Sequence, residues 1–92
     1  MKPPAPDYPI KVATIRKNAE EQVRVSIEEF HGFILVDVRI FSAFTAAKVP
    51  MATKRGVSIN VAMLPDLVAA LQAAEVKACA LGLIAPHGAD DT

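Results

Sequence analysis

The sequence contains one cysteine and no tryptophan, and aromatic residues make up only 5% of it. The lone Cys79 excludes an intramolecular disulfide, and no set of cysteines and histidines has the spacing of a metal site. No run of about 18 uncharged apolar residues is present, so we expect no membrane span. The proline-rich N-terminus is unlike a signal peptide, and the chain is predicted to be cytoplasmic and to need no cofactor.

The residue types that catalysis requires are present but scattered. A nucleophile needs a base within hydrogen-bonding reach and a group that orients that base. Cys79 lies in an apolar, alanine-rich segment, and His31 and His87 have no partner implied by spacing. The neighbouring acids Glu20-Glu21 and Glu28-Glu29 would point to opposite faces of a strand, so they form no acid-base pair. We therefore expect no enzymatic activity and no small-molecule substrate.

Apolar residues, by contrast, are abundant for a chain of this length. Hydrophobic residues make up 52% of the 92 residues, whereas a chain this small buries only about 60 to 65% of its unfolded surface when it folds alone. The surplus of apolar surface predicts a subunit interface, and we expect a homodimer. We assign residues 10–85 to one domain, preceded by a disordered arm at residues 1–9 and followed by a polar tail at residues 86–92.

The charges of the chain balance overall but not locally. The formal net charge is zero, which argues against a nucleic-acid partner. Residues 10–60, however, carry eight basic and five acidic side chains, a net charge of +3, and the remainder carries −3. This asymmetry favours a weakly basic binding sheet beside an acidic remainder.

Hydrophobic periodicity predicts four strands followed by one helix. Alternating residues indicate strands at 10–17, 22–30, 33–41 and 53–60, with a tight turn at His31-Gly32 and an irregular loop at 42–52. Gly56 is expected to mark a bulge or a close backbone approach. Asn60 is a candidate helix N-cap, and Pro65 either occupies the first α-helical position after an irregular turn or distorts the first turn. This order predicts an α+β fold with a four-stranded antiparallel sheet and one C-terminal helix.

Aromatic and basic residues occur on these strands where an apolar core alone would not place them. Phe30 ends a strand face that is otherwise polar, and Arg24 lies on the same face. Single-stranded nucleic acid binds where aromatic rings stack on bases and cations follow the phosphates. Phe41 and Phe44 are further candidate rings, although Phe41 could equally pack under the helix or across a dimer.

The segment Thr53-Lys54-Arg55-Gly56 places two adjacent cations beside a flexible residue. It lacks the sequence context of a nucleotide-binding phosphate loop. Two interpretations remain open, a contact to a nucleic-acid backbone phosphate and a solvated strand start.

In order and spacing, these segments resemble the single-stranded-DNA-binding domain of the positive cofactor 4 family of transcriptional coactivators. The resemblance runs from about residue 15 to residue 75. It rests on Val25-Ser26-Ile27-Glu28-Glu29-Phe30 with His31-Gly32, on Val36-Asp37-Val38-Arg39, on Thr53-Lys54-Arg55-Gly56-Val57-Ser58-Ile59, and on a helix with the spacing of Leu67 and Leu71. It implies a curved four-stranded antiparallel sheet, a C-terminal helix, and a homodimer that pairs through its helices and binds single-stranded DNA or RNA.

The resemblance also implies a role for individual residues. Phe30 corresponds to a stacking phenylalanine, Arg39 to a sheet arginine, and Arg55 with Lys54 to the basic residue before the glycine. The complete set of predicted nucleic-acid contacts is Phe30, Arg39, Lys54, Arg55, Lys48, Phe44 and Arg24, and the predicted dimer contacts are Leu67, Leu71 and Ala74. Transcription regulation or protection of single strands, transcription proteins as further partners, and a nucleoid location in a prokaryote are the corresponding expectations.

Two positions depart from the family pattern. Ser42 stands where well-known DNA-binding members have an aromatic residue, with Phe44 as the nearest substitute. Met51 replaces a second loop lysine, with Lys48 nearby. The loss of one stacked base and one phosphate contact would weaken binding by several kcal/mol. The alternative is therefore a dimeric protein-interaction module that keeps this fold and binds little or no nucleic acid.

Overall fold

The protein is described by a computed structural model over residues 6–43 and 48–85, in which the chain forms four strands and one α-helix. The strands are β1 (Ile10–Arg16), β2 (Glu21–Phe30), β3 (Phe33–Ser42) and β4 (Met51–Asn60). A 3-10 turn (Val61–Met63) precedes the helix α1 (Leu64–Ala80). The predicted α+β order is confirmed, whereas residues 1–5 of the predicted arm and the predicted tail lie outside the described residues.

The chain divides between Val61 and Ala62 into two compact units, of which the first contains a curved antiparallel sheet. Each strand pairs with its sequence neighbour, in the order β1-β2-β3-β4. Strands β2 and β3 pair without a shift, from Glu21 opposite Ser42 to Phe30 opposite Phe33.

This unbroken register, together with the alternation of side chains along a strand, separates the side chains of β2 and β3 into two faces. The polar face carries Gln22, Arg24, Ser26, Glu28, Phe30, Phe33, Leu35, Asp37, Arg39 and Phe41. The apolar face carries Val23, Val25, Ile27, Ile34, Val36, Val38 and Ile40. The strand faces predicted from the alternation of the sequence are therefore confirmed.

The connection between β2 and β3 is a two-residue turn. His31 has φ 50° and Gly32 has φ 83°, so both central residues adopt the left-handed conformation that matches the twist of a hairpin. Glycine adopts this conformation without a steric penalty, and the turn predicted at His31-Gly32 is confirmed.

Strand β4 begins two residues earlier than predicted and contains an irregularity. Its pairing with β3 shifts between Arg39, opposite Gly56, and Phe41, opposite Ala52, so three residues of β4 face Ile40. A Cβ atom at Gly56 would lie 2.5 Å from the carbonyl oxygen of Val38. Both features predicted for Gly56, a bulge and a close backbone approach, are therefore found at this place.

The second unit contains α1. Its N-cap is Met63, without a side-chain capping hydrogen bond, and Pro65 lies within the first two helical positions. The prediction of Asn60 as N-cap is wrong, because the 3-10 turn intervenes; the alternative with an irregular turn before Pro65 is the one observed. At the other end, the amides of Gly82 and Leu83 donate to the carbonyls of Cys79 and Ala78 at 3.0 and 2.9 Å, which satisfies the last turn.

Few side chains are fully buried in the single chain. Among the described residues, Val36 is the one buried apolar side chain, and Glu21 and Asp37 are buried polar residues. Ile15 and Val57 of the sheet remain 58% and 49% exposed. In the described part of the chain, large apolar side chains of both the sheet and the helix thus remain accessible.

Candidate nucleic-acid interface

The polar face of the sheet forms a shallow groove across β2, β3 and β4. Its volume is about 410 Å³, and its lining combines aromatic, apolar and charged side chains: Glu28, Phe30, Leu35, Asp37, Arg39, Phe41, Ala52 and Ser58. A second groove of about 300 Å³ lies along β1 and β2, and its lining includes Lys11, Arg24 and Phe41. An open, partly apolar groove of this kind suits a planar ring that binds at the surface better than a ligand that must be surrounded by protein.

Phe30 lies at the end of β2 with its ring accessible. It is 62% exposed, and Phe33, directly opposite on β3, is 61% exposed. The His31 ring meets the Phe30 ring edge to face, with centroids 4.2 Å apart. Two phenylalanines at a hairpin end contribute little to a core at this exposure, so their placement favours contact with a ligand.

Arg39 is tied into the sheet by an extensive hydrogen-bond network. Its Nε and Nη2 donate to the Asp37 carboxylate at 2.8 to 3.2 Å. Nη1 donates to the carbonyl of Thr53 at 3.1 Å, and Nη2 also donates to Ser58 Oγ at 3.3 Å. These contacts join β3 to β4 beside the irregular pairing at Gly56.

The same network sets the protonation of Asp37 and Arg39. Burial raises the pKa of Asp37, but hydrogen bonds from Arg39 and Ser58 outweigh this effect and lower it. The hydrogen bond to Asp37 raises the pKa of Arg39 in turn. Arg39 is therefore a neutralised, structurally engaged cation rather than an isolated positive charge.

Arg24 contributes a less constrained cation to the polar face. Its Nε donates to Gln22 Oε1 at 3.0 Å, and its guanidinium carbon lies 4.4 Å from the centroid of the Phe41 ring. This cation-π arrangement holds Arg24 and Phe41 together between the two grooves. Phe41 thus lies on the polar face, beside Arg24.

Arg55 is directed away from the groove. Its Nη2 donates to Glu21 Oε2, and Glu21 lies on the apolar side of β2 because it alternates with Gln22. Lys17 Nζ and Asn18 Nδ2 donate to the other oxygen of Glu21, each at 2.9 Å.

The cluster of donors has a strong effect on Glu21. Hydrogen bonds from Lys17, Asn18 and Arg55 lower the pKa of its carboxyl from 4.5 to about 2. The carboxylate is buried, with 7% of the residue exposed. It anchors the irregular part of β4, through Arg55, to the turn before β2.

The structure separates the remaining predicted contacts. Lys54 and Lys48 are exposed, and neither makes an ion pair with another side chain of residues 6–43 or 48–85. Phe44 lies outside the described residues. The polar face therefore brings together Phe30, Arg39 and Arg24, whereas Arg55 belongs to a different cluster.

The two departures from the family pattern face each other at one end of the β3–β4 pair. Ser42 pairs with Met51 on β4 and with Glu21 on β2, so its side chain is on the apolar side. Met51 is 56% exposed. A ring at position 42 would thus point away from the groove, in which Phe41 already supplies one.

Two residues of this face are absent from the set predicted as nucleic-acid contacts. Phe33 and Phe41 both lie on the polar face, as the pairing with β2 shows. The signal was in the sequence, because a two-residue turn at His31-Gly32 fixes Phe30 opposite Phe33 and carries the same parity to Phe41.

The predicted dimer contacts all lie on α1. Leu67 is partly exposed, Leu71 is 59% exposed, and Ala74 is exposed. Val68 and Val76 of the same helix are 43% and 68% exposed. Alanines at this density allow a second helix to approach closely.

Within residues 6–43 and 48–85, no helix is long and apolar enough to cross a membrane. No group of three or more His, Cys, Asp or Glu side chains in the same segments is arranged to hold a metal ion.

No protein-family profile and no curated protein sequence matches the chain. Two crystal structures of a PC4 homologue from Burkholderia pseudomallei do match, each with a TM-score of 0.65.

In the tetragonal form the identity is 26% over 72% of this chain and 96% of the homologue. In the orthorhombic form the identity is 27% over 77% of this chain and 95% of the homologue. The predicted resemblance to the positive cofactor 4 (PC4) family is thereby confirmed, and the chain is PC4-like in its sheet, its helix and their order.

Proposed function

We propose that this protein binds single-stranded nucleic acid through the polar face of its sheet, as a non-enzymatic homodimer. The observation that supports the proposal is the pair of accessible rings, Phe30 and Phe33, on a sheet face that also carries Phe41 and Arg24. Aromatic faces stack on bases of any sequence, and cations beside them follow the backbone. The PC4-like fold supports the same reading.

The homodimer is proposed from the exposed apolar surface. Leu71 and Val76 of α1 are 59% and 68% exposed, and only Val36 is a buried apolar residue within the described segments. Pairing of two α1 helices would remove this surface from water. A role as a transcription coactivator, or in protecting single strands in the cytoplasm, is proposed on the PC4 likeness.

The decisive experiment is a fluorescence anisotropy titration with the wild-type chain. Labelled 20-nucleotide single strands of mixed sequence, DNA and RNA, are compared with a duplex of the same sequence, first at low salt. We expect single strands to bind more tightly than duplex, with log affinity falling by about 0.7 per neutralised phosphate for each unit of log salt. No binding to either single strand at low salt would refute the proposal.

A protein-interaction module on the same fold is the second candidate, and the ion pairs favour it. Asp37 and Glu21 neutralise Arg39 and Arg55, two of the cations expected to contact phosphate. Arg24, Lys48 and Lys54 are left without a carboxylate partner in the described segments, which is a weak field for steering a polyanion. The same titration separates the candidates, because this module would leave all oligonucleotides unbound.

A further inference from the structure

Glu28 is a carboxylate in the middle of the groove that the proposed function leaves unexplained. It lies on the polar face of β2, two residues before Phe30, and opposite Leu35 of β3. It lines both the larger groove and the smaller groove beside β1. A negative charge at this position is unfavourable for a surface that only attracts phosphates.

The hydrogen bonds of the two carboxylates in the groove differ. Both oxygens of Asp37 accept hydrogen bonds from Arg39, and one also accepts a hydrogen bond from Ser58. Glu28 accepts one side-chain hydrogen bond within the described residues, from Ser26 Oγ to its Oε2 at 2.9 Å. Its Oε1 accepts no side-chain hydrogen bond from the described residues and is therefore available to a ligand in this groove.

We propose that Glu28 reads the edge of a base stacked on Phe30 and selects bases that carry an exocyclic amino group. This inference rests on the proposed function and concerns the same site. Alternate residues on one strand are about 7 Å apart, so a base that covers the Phe30 ring presents its edge toward position 28. The negative charge of Glu28 disfavours phosphates in the groove, so the proposal has the backbone outside it.

The chemistry of the base edges gives the direction of the preference. A carboxylate accepts hydrogen bonds and donates none. Cytosine, adenine and guanine each present amino hydrogens, and acidic side chains accept from the amino group of cytosine. Thymine and uracil have no amino group; their one ring N3–H lies between two carbonyl oxygens, whose lone pairs repel a carboxylate that approaches it.

The test compares two pyrimidine strands that differ in this edge. Labelled dC20 and dT20 are titrated with the full chain at pH 8 and fixed low salt, where cytosine is uncharged. We expect dC20 to bind about tenfold more tightly than dT20, near the lower end of discrimination by one base contact. Glu28→Gln should reduce this ratio to about twofold or less, because the amide both donates and accepts.

Glu29→Gln is the matched control, with the same change of charge at the next residue and on the opposite face of β2. It should keep the dC20 to dT20 ratio while raising both affinities slightly through charge. Equal affinities of the wild-type chain for dC20 and dT20, or an unchanged ratio in Glu28→Gln, would overturn the role of Glu28 alone. Absence of binding to both strands would refute the proposed function itself.

Discussion

Replacing Phe30 tests whether its ring contacts a ligand or packs in the core. Complete burial of a phenylalanine side chain stabilises a protein by about 1.5 to 3 kcal/mol. Phe30 is 62% exposed, so its removal loses only part of that free energy. We therefore expect Phe30→Ala to lower the free energy of unfolding by no more than about 1 kcal/mol. For a domain of this size that corresponds to a fall in melting temperature of about 4 to 8 °C.

The effect of Phe30→Ala on binding should be larger. One stacked base contributes about 1 to 3 kcal/mol, so the dissociation constant for a single strand should rise between about fivefold and 150-fold. Fluorescence anisotropy measures the binding, and circular dichroism at increasing temperature measures the stability. Both experiments use the same protein preparation.

Phe30→Leu is the matched variant, because leucine keeps most of the apolar contacts and removes the aromatic face. It should melt within a few degrees of the wild-type chain and show most of the loss in affinity. Unfolding of Phe30→Ala at room temperature would place the ring in a core. Unchanged affinity in both variants would remove Phe30 from the interface.

Three further outcomes are expected. Gly56→Ala should lower the melting temperature by about 10 to 20 °C, because the new Cβ would lie 2.5 and 2.8 Å from backbone atoms. Gly82 has φ 73° and open space around it, so Gly82→Ala should lower the free energy of unfolding by only about 1 kcal/mol. The wild-type chain should melt at a higher temperature than Glu21→Gln, and this difference should be constant above pH 4.5. The difference should shrink toward pH 2, because the folded Glu21 carboxyl has a pKa of about 2 and loses its charge there. A difference in melting temperature that does not depend on pH would contradict the ion-pair cluster. Leu71→Glu should convert a dimer into monomers by sedimentation equilibrium at micromolar concentration, whereas Gln72→Glu should not, and a dimeric Leu71→Glu would exclude pairing through this face of α1.

Much of the fold could be predicted because local physical rules specify it. The period-2 pattern of β2 and β3 fixes which side chains share a face, and the His31-Gly32 turn fixes their register. The helix start was predicted less accurately. Asn60 has the side chain of an N-cap, but the backbone takes a 3-10 turn first, and side-chain preference alone does not reveal the backbone path.

The candidate site depends more on contacts between distant residues. Arg39 and Arg55 have the same side chain, and the sequence predicts both as nucleic-acid contacts. In the structure one is bound to Asp37 on the polar face and the other to Glu21 on the apolar side. The partner of each arginine determines how much charge it can offer, and Glu21 is 34 residues away from Arg55 in the chain.

The sequence by itself determined the strand order, the two faces of the central hairpin and the likeness to the PC4 family, because each follows from periodicity, turn chemistry and local motifs. The tertiary structure decided where the charges are neutralised. It paired Arg39 with Asp37 on the polar face and directed Arg55 to Glu21 on the apolar side. The position of Arg55 depends on the pairing of β3 with β4 across an irregular register, which no local rule of sequence specifies.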